Sequence, residues 1–236
     1  KIQKYCKKKN IIFISTPFSR EAADRLNAMN VSCFKIGSGE CNNIPLVEHI
    51  AKKKKPIILS TGMNNLKNIR DTVKIIIKYD CPLAILHCTS MYPTPYKKVR
   101  LGAISLLKKK FPYAVIGSSD HSLGIETSLG AVSLGASIIE KHFTISTKWS
   151  GPDNIISITP NLFKRLKIES KNIWDALDND ISVLEEEKPV INFAYASVIS
   201  IKPIKKDEVF GYDNIWVKRP GNGNILSKDL KKVIGK

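Results

Sequence analysis

The 236-residue sequence has no run approaching the 18 or more consecutive apolar residues of a membrane span, and its lysine-rich start has no apolar stretch behind it. Neither a membrane anchor nor a signal peptide is expected, and the expected setting is cytoplasmic. Cysteine is sparse and unpatterned. The five, Cys6, Cys33, Cys41, Cys81 and Cys88, are odd in number and never fall in C-x-x-C spacing. This argues against a disulfide framework or a zinc knuckle and for buried free thiols in a reducing compartment. Acidic side chains are outnumbered, 21 against 38 Lys and Arg, for a net charge of +17. The excess lysines come in short runs (Lys7 to Lys9, Lys52 to Lys55, Lys108 to Lys110) without the interleaved aromatics that stacked bases need, so nucleic acid is not the expected partner. An anionic small substrate accounts for the charge equally well.

What is abundant is β-branched residues in short blocks. Six apolar runs recur along the chain: IIFIST (11–16), CFKIGS (33–38), PIILST (56–61), LAILHC (83–88), AVIGSS (114–119) and SIIEKHF (137–143). Between them lie segments with helical spacing, such as SREAADRLNAM and NLKNIRDTVKIIIKYD. Strand alternating with helix predicts a parallel sheet. Nearly every run ends in small or polar residues, and in a parallel barrel the site is built at those C-terminal strand ends.

The expected fold is therefore α/β, a (β/α)8 TIM-type barrel. Such a barrel needs eight strands, and the opening KIQKYCKKKN reads as the end of a helix, so about two strand-helix units are expected to be missing ahead of it. An open doubly wound sheet is the competing arrangement. Thr159 as N-cap and Pro160 at the first helical position predict a long helix from 160. The expected domains are an incomplete barrel over 1–180, an acidic linker over 181–190 and a small β-rich domain over 191–236, itself possible to read as stopping short.

His121 and His142 each stand at or just past the end of a successive predicted strand. Adjacent strands are about 4.8 Å apart, so two imidazoles leaving their ends can share a divalent ion with positions open for water and substrate. Each can equally be a hydrogen-bonded core histidine. The K-x-G-S-G-E stretch, Lys35 to Glu40, together with Thr16, Ser60 and Ser119, offers donors suited to phosphate or carboxylate oxygens. Read alone, it is also an ordinary glycine turn. His87 and Cys88 are strand neighbours and point to opposite faces, so they do not form a nucleophile and base pair. His49 falls in a helical pattern and reads as structural or solvated.

Taken together, STPFS (15–19), KIGSGECNNIPL (35–46), ILSTGM (58–63), HCTSMYPTP (87–95), GSSDHSLGIE (117–126), GASIIEKHFT (135–144) and GPDN (151–154) resemble the sialic acid (N-acetylneuraminate) synthase family, legionaminic acid synthases included. VKRPGNG (217–223) resembles the signature of that family's antifreeze-like (SAF) domain. The resemblance implies an enzyme that condenses phosphoenolpyruvate with N-acetylmannosamine or a related N-acyl amino sugar, releasing phosphate. It implies a divalent metal, manganese first and magnesium or cobalt as substitutes, on His121 and His142. It places phosphoenolpyruvate on Thr16, Lys35, Ser38, Ser60 and Ser119, with Ser90 where the family has asparagine. The sugar falls to Tyr92 and Asp153, and Glu40 lies beside both substrates. Arg219 matches an arginine that reaches the partner's barrel in a domain-swapped homodimer. Where the family has paired arginines before a serine, this chain reads FAYAS (193–197). An inactive fragment of such an enzyme, or a legionaminic- or pseudaminic-type substrate, is the alternative expectation; an aldolase or metallohydrolase on the same barrel explains the motifs less completely.

Overall fold

β1 (Phe34–Ile36), β2 (Ile57–Ser60), β3 (Leu83–Cys88), β4 (Val115–Asp120) and β5 (Ile138–Lys141) are all parallel and lie side by side in chain order. These elements come from a computed structural model that describes residues 1–236 and separates into two compact units, Lys1–Asp178 and Asn179–Lys236. Sequential order without a reversal is single winding, the connectivity of a barrel; the doubly wound alternative requires a switch point and is excluded for these strands.

Eight helices belong to this unit, two before β1 and the others after it: α1 (Ile2–Lys8), α2 (Arg20–Ala28), α3 (Ile44–Ala51), α4 (Leu66–Lys78), the short α5 (Tyr96–Val99), α6 (Gly102–Lys110), α7 (Glu126–Ser133) and α8 (Pro160–Asp175). Side-chain caps start three of them, with Ser19, Asn43 and Asn65 accepting from the N–H groups of Ala22, Leu46 and Asn68. Thr159 and Pro160 occupy the predicted positions at α8, but the Thr159 hydroxyl makes no capping bond. No helix is long and apolar enough to cross a membrane.

The alternation along each strand divides the sheet's two faces. Phe34, Ile36, Ile57, Leu59, Leu83, Ile85 and Ile116 are buried in the main core with Val47, Ile50, Val73, Ile76 and Ile104 of the helices. The intervening residues, Lys35, Ser60, Cys88, Ser119 and Glu140 among them, belong to the opposite face.

Five strands form, not the expected six. Residues 11–16 make no ladder; their one backbone hydrogen bond runs from Ile11 N–H back to Cys6 C=O. Ile11, Ile12 and Ile14 are exposed, and only Phe13 packs on the core. The residue types suit a strand, but β1 pairs with β2 alone, and without a ladder the run has no partner for its backbone groups.

The second unit is a hairpin of β6 (Ser197–Ser200) and β7 (Ile215–Lys218), with α9 (Lys188–Ala194) before it and α10 (Leu230–Val233) after it. Ser197, fully buried, donates to Pro220 C=O at 3.0 Å and accepts from Gly223 N–H at 2.9 Å, which ties the PGNG turn to the start of the hairpin. A Cβ on Gly223 would stand 2.5 Å from the Ser197 Cβ, so this approach needs glycine.

Candidate functional site

The site lies at the C-terminal ends of the five strands. Lys35 of β1 is nearly buried, and its Nζ donates to Ser60 Oγ of β2 at 2.9 Å and pairs with Glu140 Oε2 of β5 at 3.3 Å. The other Glu140 oxygen accepts from Ser119 Oγ of β4 at 2.7 Å. One ammonium, two hydroxyls and one carboxylate are thus drawn from four strands to one place. Ser60, Lys35 and Ser119 were expected here. Glu140, inside the run SIIEKHF, is not among the residues expected here, and the register that sets it directly opposite Ser119 reveals its place.

A second group adjoins the first. Ser38 Oγ accepts from Gly62 N–H at 3.0 Å, and the Asn64 amide donates to Ser38 C=O at 2.9 Å. Ser90 Oγ is 3.9 Å from Cys88 Sγ, and Cys88 Sγ is 3.7 Å from His121 Nδ1. Glycine at 62 is what lets these groups meet, since a Cβ there would stand 2.3 Å from Ser90 Oγ, 2.8 Å from Ser38 Oγ and 3.0 Å from Cys88 Sγ. Thr16 lies beside Gly37, its methyl 3.7 Å from where a Cβ would be. Glu40 sits on a single 3-10 turn and accepts from the Asn43 amide at 2.6 Å; it is bound to the N-cap of α3 rather than to Lys35 or the histidines.

His121 and His142 do come together, with ring centroids 5.2 Å apart and planes at 61°. Tyr92 lies over His121 at 4.3 Å and stands edge-on to His142 at 6.0 Å. Asp153 Oδ2 is 3.7 Å from His142 Nδ1. Nδ1 of His121 lies 3.1 Å from Thr89 C=O; in the neutral ring a donation there keeps the lone pair on Nε2. The loop carrying Ser90 and Tyr92 is pinned in turn: Thr94 N–H donates to His121 C=O at 2.9 Å, and its hydroxyl bonds Thr89 and Met91 carbonyls. His87 points away from this site and contacts Val99 C=O at 2.6 Å, so the two strand neighbours part as expected.

Local environment sets the protonation of these groups. Burial depresses the basicity of His121, but the adjacent Cys88 outweighs it and holds the imidazole above its ordinary value. Burial raises the Cys88 thiol, while hydrogen bonds from His121, Ser38 and Ser90 more than offset that and bring it below the usual range. His142 is held below the ordinary value by burial, with Asp153 opposing. The Tyr92 hydroxyl, on an exposed side chain, is pushed up, first by partial burial and then by Cys88 and Asp153.

The two imidazoles fit an open cation site. Two nitrogens at about 2.1 Å from one ion, at angles between octahedral and tetrahedral, put the ring centroids roughly 4.5–5.2 Å apart. The observed 5.2 Å falls at the upper end of that span. No three His, Cys, Asp or Glu side chains converge as a closed ligand set. Such a pair therefore suits an ion that leaves positions for water or substrate and not a structural metal. Arg219 is exposed in the second unit, directly after β7.

The NeuB family profile matches residues 1–182. The chain belongs to the NeuB family. It is 42% identical over 236 residues to the N,N'-diacetyllegionaminic acid synthase of Campylobacter jejuni, covering 98% of this chain and 70% of that one. The human N-acetylneuraminate-9-phosphate synthase is 30% identical over 236 residues, covering 100% of this chain and 66% of that one. A crystal structure described as N-acetylneuraminic acid (sialic acid) synthetase from Leptospira borgpetersenii, in complex with citrate, superposes with a TM-score of 0.77 at 37% identity, over 80% of this chain and 67% of that chain. The relatives of this NeuB-family chain include proteins named as synthases of legionaminic acid, N-acetylneuraminate 9-phosphate and pseudaminic acid.

Proposed function

We propose that this NeuB-family chain serves the condensation of phosphoenolpyruvate with the open-chain aldehyde of an N-acyl amino sugar, giving a nonulosonic acid and inorganic phosphate. The observation that carries this reading is the convergence of Lys35, Ser60, Ser119 and Glu140 beside the paired imidazoles of His121 and His142. It joins a cationic cradle for a phosphate or carboxylate to a place where an aldehyde oxygen can be polarised.

Lys35, Ser60, Ser119, Ser38 and Ser90 hold the phosphoenolpyruvate anion, with Thr16 at the edge. An incoming anion competes with Glu140 for Lys35, so the carboxylate turns from the ammonium when the ligand seats. A divalent ion, manganese in this reading, held by His121 and His142 supplies Lewis acidity toward the aldehyde oxygen. Tyr92 and Asp153 position the sugar. C3 of phosphoenolpyruvate attacks the aldehyde carbon, the new carbon-carbon bond forms, and the former aldehyde oxygen takes a proton. Positive character at C2 is met by water, which loses a proton as it adds. The C2–O bond to phosphate then breaks, leaving the ketone and phosphate. Glu140, at 3.3 Å from Lys35, is better placed than Glu40 to take the proton from that water. The same reading assigns the second unit as an antifreeze-like domain and gives Arg219 a role toward the sugar in a domain-swapped homodimer.

The test is phosphate release from the 236-residue chain with Mn2+, phosphoenolpyruvate carrying 18O at its bridging oxygen, and N-acetylmannosamine or its 2,4-diacetamido-6-deoxy relative. The label appears in phosphate if the C–O bond breaks. Folded protein that binds Mn2+ and phosphoenolpyruvate but releases nothing supports the second reading, an inactive relative, which the largely exposed run Ile11 to Ile14, part of no ladder, favours.

A further inference from the structure

Behind the paired imidazoles lies a buried ion pair that no part of the proposed chemistry uses. Asp120 and Lys141 are direct partners in the β4–β5 register, and their side chains are only 2% and 3% exposed. Lys141 Nζ meets Asp120 Oδ2 at 3.0 Å. The same oxygen accepts from Thr127 Oγ1 at 2.8 Å and Ser128 Oγ at 2.7 Å, both on α7, while Oδ1 accepts from Ser122 N–H at 2.8 Å. Lys141 also donates to Ser122 C=O. The contacts to α7 place the pair on the helix side of the sheet, and the next residue of each strand, His121 and His142, belongs to the site side.

Two opposite charges taken wholly out of water rarely add stability over apolar side chains of similar size, because desolvation offsets their attraction. What this pair does supply is geometry. One ammonium grips the residue before His121 through Asp120 and the residue after it through the Ser122 carbonyl. That ammonium belongs to the residue directly before His142. A shift of one strand end relative to the other stretches these bonds, so they hold the backbone at His121 and His142 in register.

Resting on the two-histidine cation site proposed above, we infer that Asp120 and Lys141 are positioning residues that set the separation of His121 and His142 and thereby the affinity for a divalent cation. The decisive comparison is Mn2+ binding, by calorimetry and by electron spin resonance with nitrogen modulation, to the 236-residue chain and to Asp120→Asn/Lys141→Met. The double change removes both charges together, so no lone charge is left buried. The expected result is Mn2+ affinity weaker by about 10- to 100-fold, the range for outer partners of metal ligands, with altered nitrogen modulation and a metal-free unfolding transition close to the parent's. Unchanged affinity in the folded double variant overturns the inference. Ser128→Ala, which removes one bond to Asp120 and keeps both charges, provides the comparison if the double variant does not fold; its affinity should fall by less, and no fall at all also overturns the inference. His121→Ala separates the two layers of the argument. If it binds Mn2+ like the parent, the cation site itself is wrong. If it loses Mn2+ while the double variant keeps it, only the positioning role is lost.

Discussion

Gly117 lies within β4 and Gly62 just past β2, and the same substitution by alanine should affect stability at the first and the site at the second. A Cβ at Gly117 would stand 2.5 Å from the Ile138 carbonyl oxygen, 2.6 Å from Leu86 Cδ2 and 2.9 Å from Ile138 Cβ. Gly117 is paired with Leu86 on one side and Ile138 on the other, so relief requires β4 and β5 to separate. Overpacking of this kind costs about 1–3 kcal/mol, and more where backbone must move. At Gly62 the nearest atoms are three side-chain ends. Ser90 Oγ, at 2.3 Å from the added Cβ, must retreat by about 1 Å to reach an ordinary C···O contact, and a χ1 rotation achieves that. The backbone of Gly62 does not lie in the left-handed region, so alanine also gains about 0.4–1 kcal/mol by restricting the unfolded chain. Urea unfolding should therefore show a lowered midpoint with unchanged slope for Gly117→Ala and little change for Gly62→Ala. Phosphoenolpyruvate binding should weaken in Gly62→Ala because Ser38 and Ser90 are displaced. Equal loss of stability in both, or full phosphoenolpyruvate affinity in Gly62→Ala, would refute the assignment of Gly62 to the floor of the site.

Lys35→Met should weaken phosphoenolpyruvate binding by roughly 10- to 100-fold, the equivalent of one charge-assisted hydrogen bond of about 1.5–3 kcal/mol, while the half-exposed Glu140 left behind keeps the fold intact; titration calorimetry decides, and undiminished binding removes Lys35 from the cradle. Burial holds His87 below its ordinary value of 6.5, so the folded state favours the neutral ring. Stability from this residue is fully present above about pH 6.5 and is lost as the pH falls through that value toward the lower folded one, because the unfolded chain takes the proton first. The slope of Tm against pH between 7 and 5 should be shallower in His87→Gln, and an identical slope would contradict the assignment. The Cys41 thiol is fully buried and pushed up to about 11 by burial, and Cys33 and Cys81 are also raised by it, whereas Cys6 is partly exposed. Iodoacetamide at pH 8 should label Cys6 well before Cys41 on the native chain, as peptide mass spectrometry can follow; comparable rates would mean that α3 and α4 open readily.

Five of the strands were legible because their β-branched runs are bounded by turn residues and end in polar side chains. IIFIST carries the same local signal and forms none, since pairing is supplied by a neighbouring strand and not by the residues themselves. The small and charged residues at the strand ends also group Lys35, Ser60 and Ser119 from the sequence alone. That grouping does not reach Glu40, which follows its strand by several residues and turns on a 3-10 segment toward Asn43. It undervalued Glu140, whose charge beside Lys141 reads as an exposed flank until the register sets it opposite Ser119. Gly62 and the Asp120–Lys141 pair left no local signal at all. Their meaning lies in which distant atoms come near.

The two polar strand ends, SSDH over 118–121 and EKH over 140–142, are each split between two layers by the alternation of a strand. Ser119, His121, Glu140 and His142 fall on one face. Asp120 and Lys141 fall on the other, under Thr127 and Ser128 of α7. Four residues in a row that look like one solvated cluster are therefore two sets with different surroundings, one contacting ligand space and one closed against a helix. A slip of one residue in β4 or β5 would exchange the sets, turning the histidines toward α7 and an unpaired Asp120 or Lys141 toward the site. The buried pair opposes such a slip, since a shifted strand leaves a charge in the core without its partner, a cost of several kcal/mol. Register and site geometry are in this way held by the same bond, which is why removing its two charges together is expected to spare the fold and still loosen the histidines.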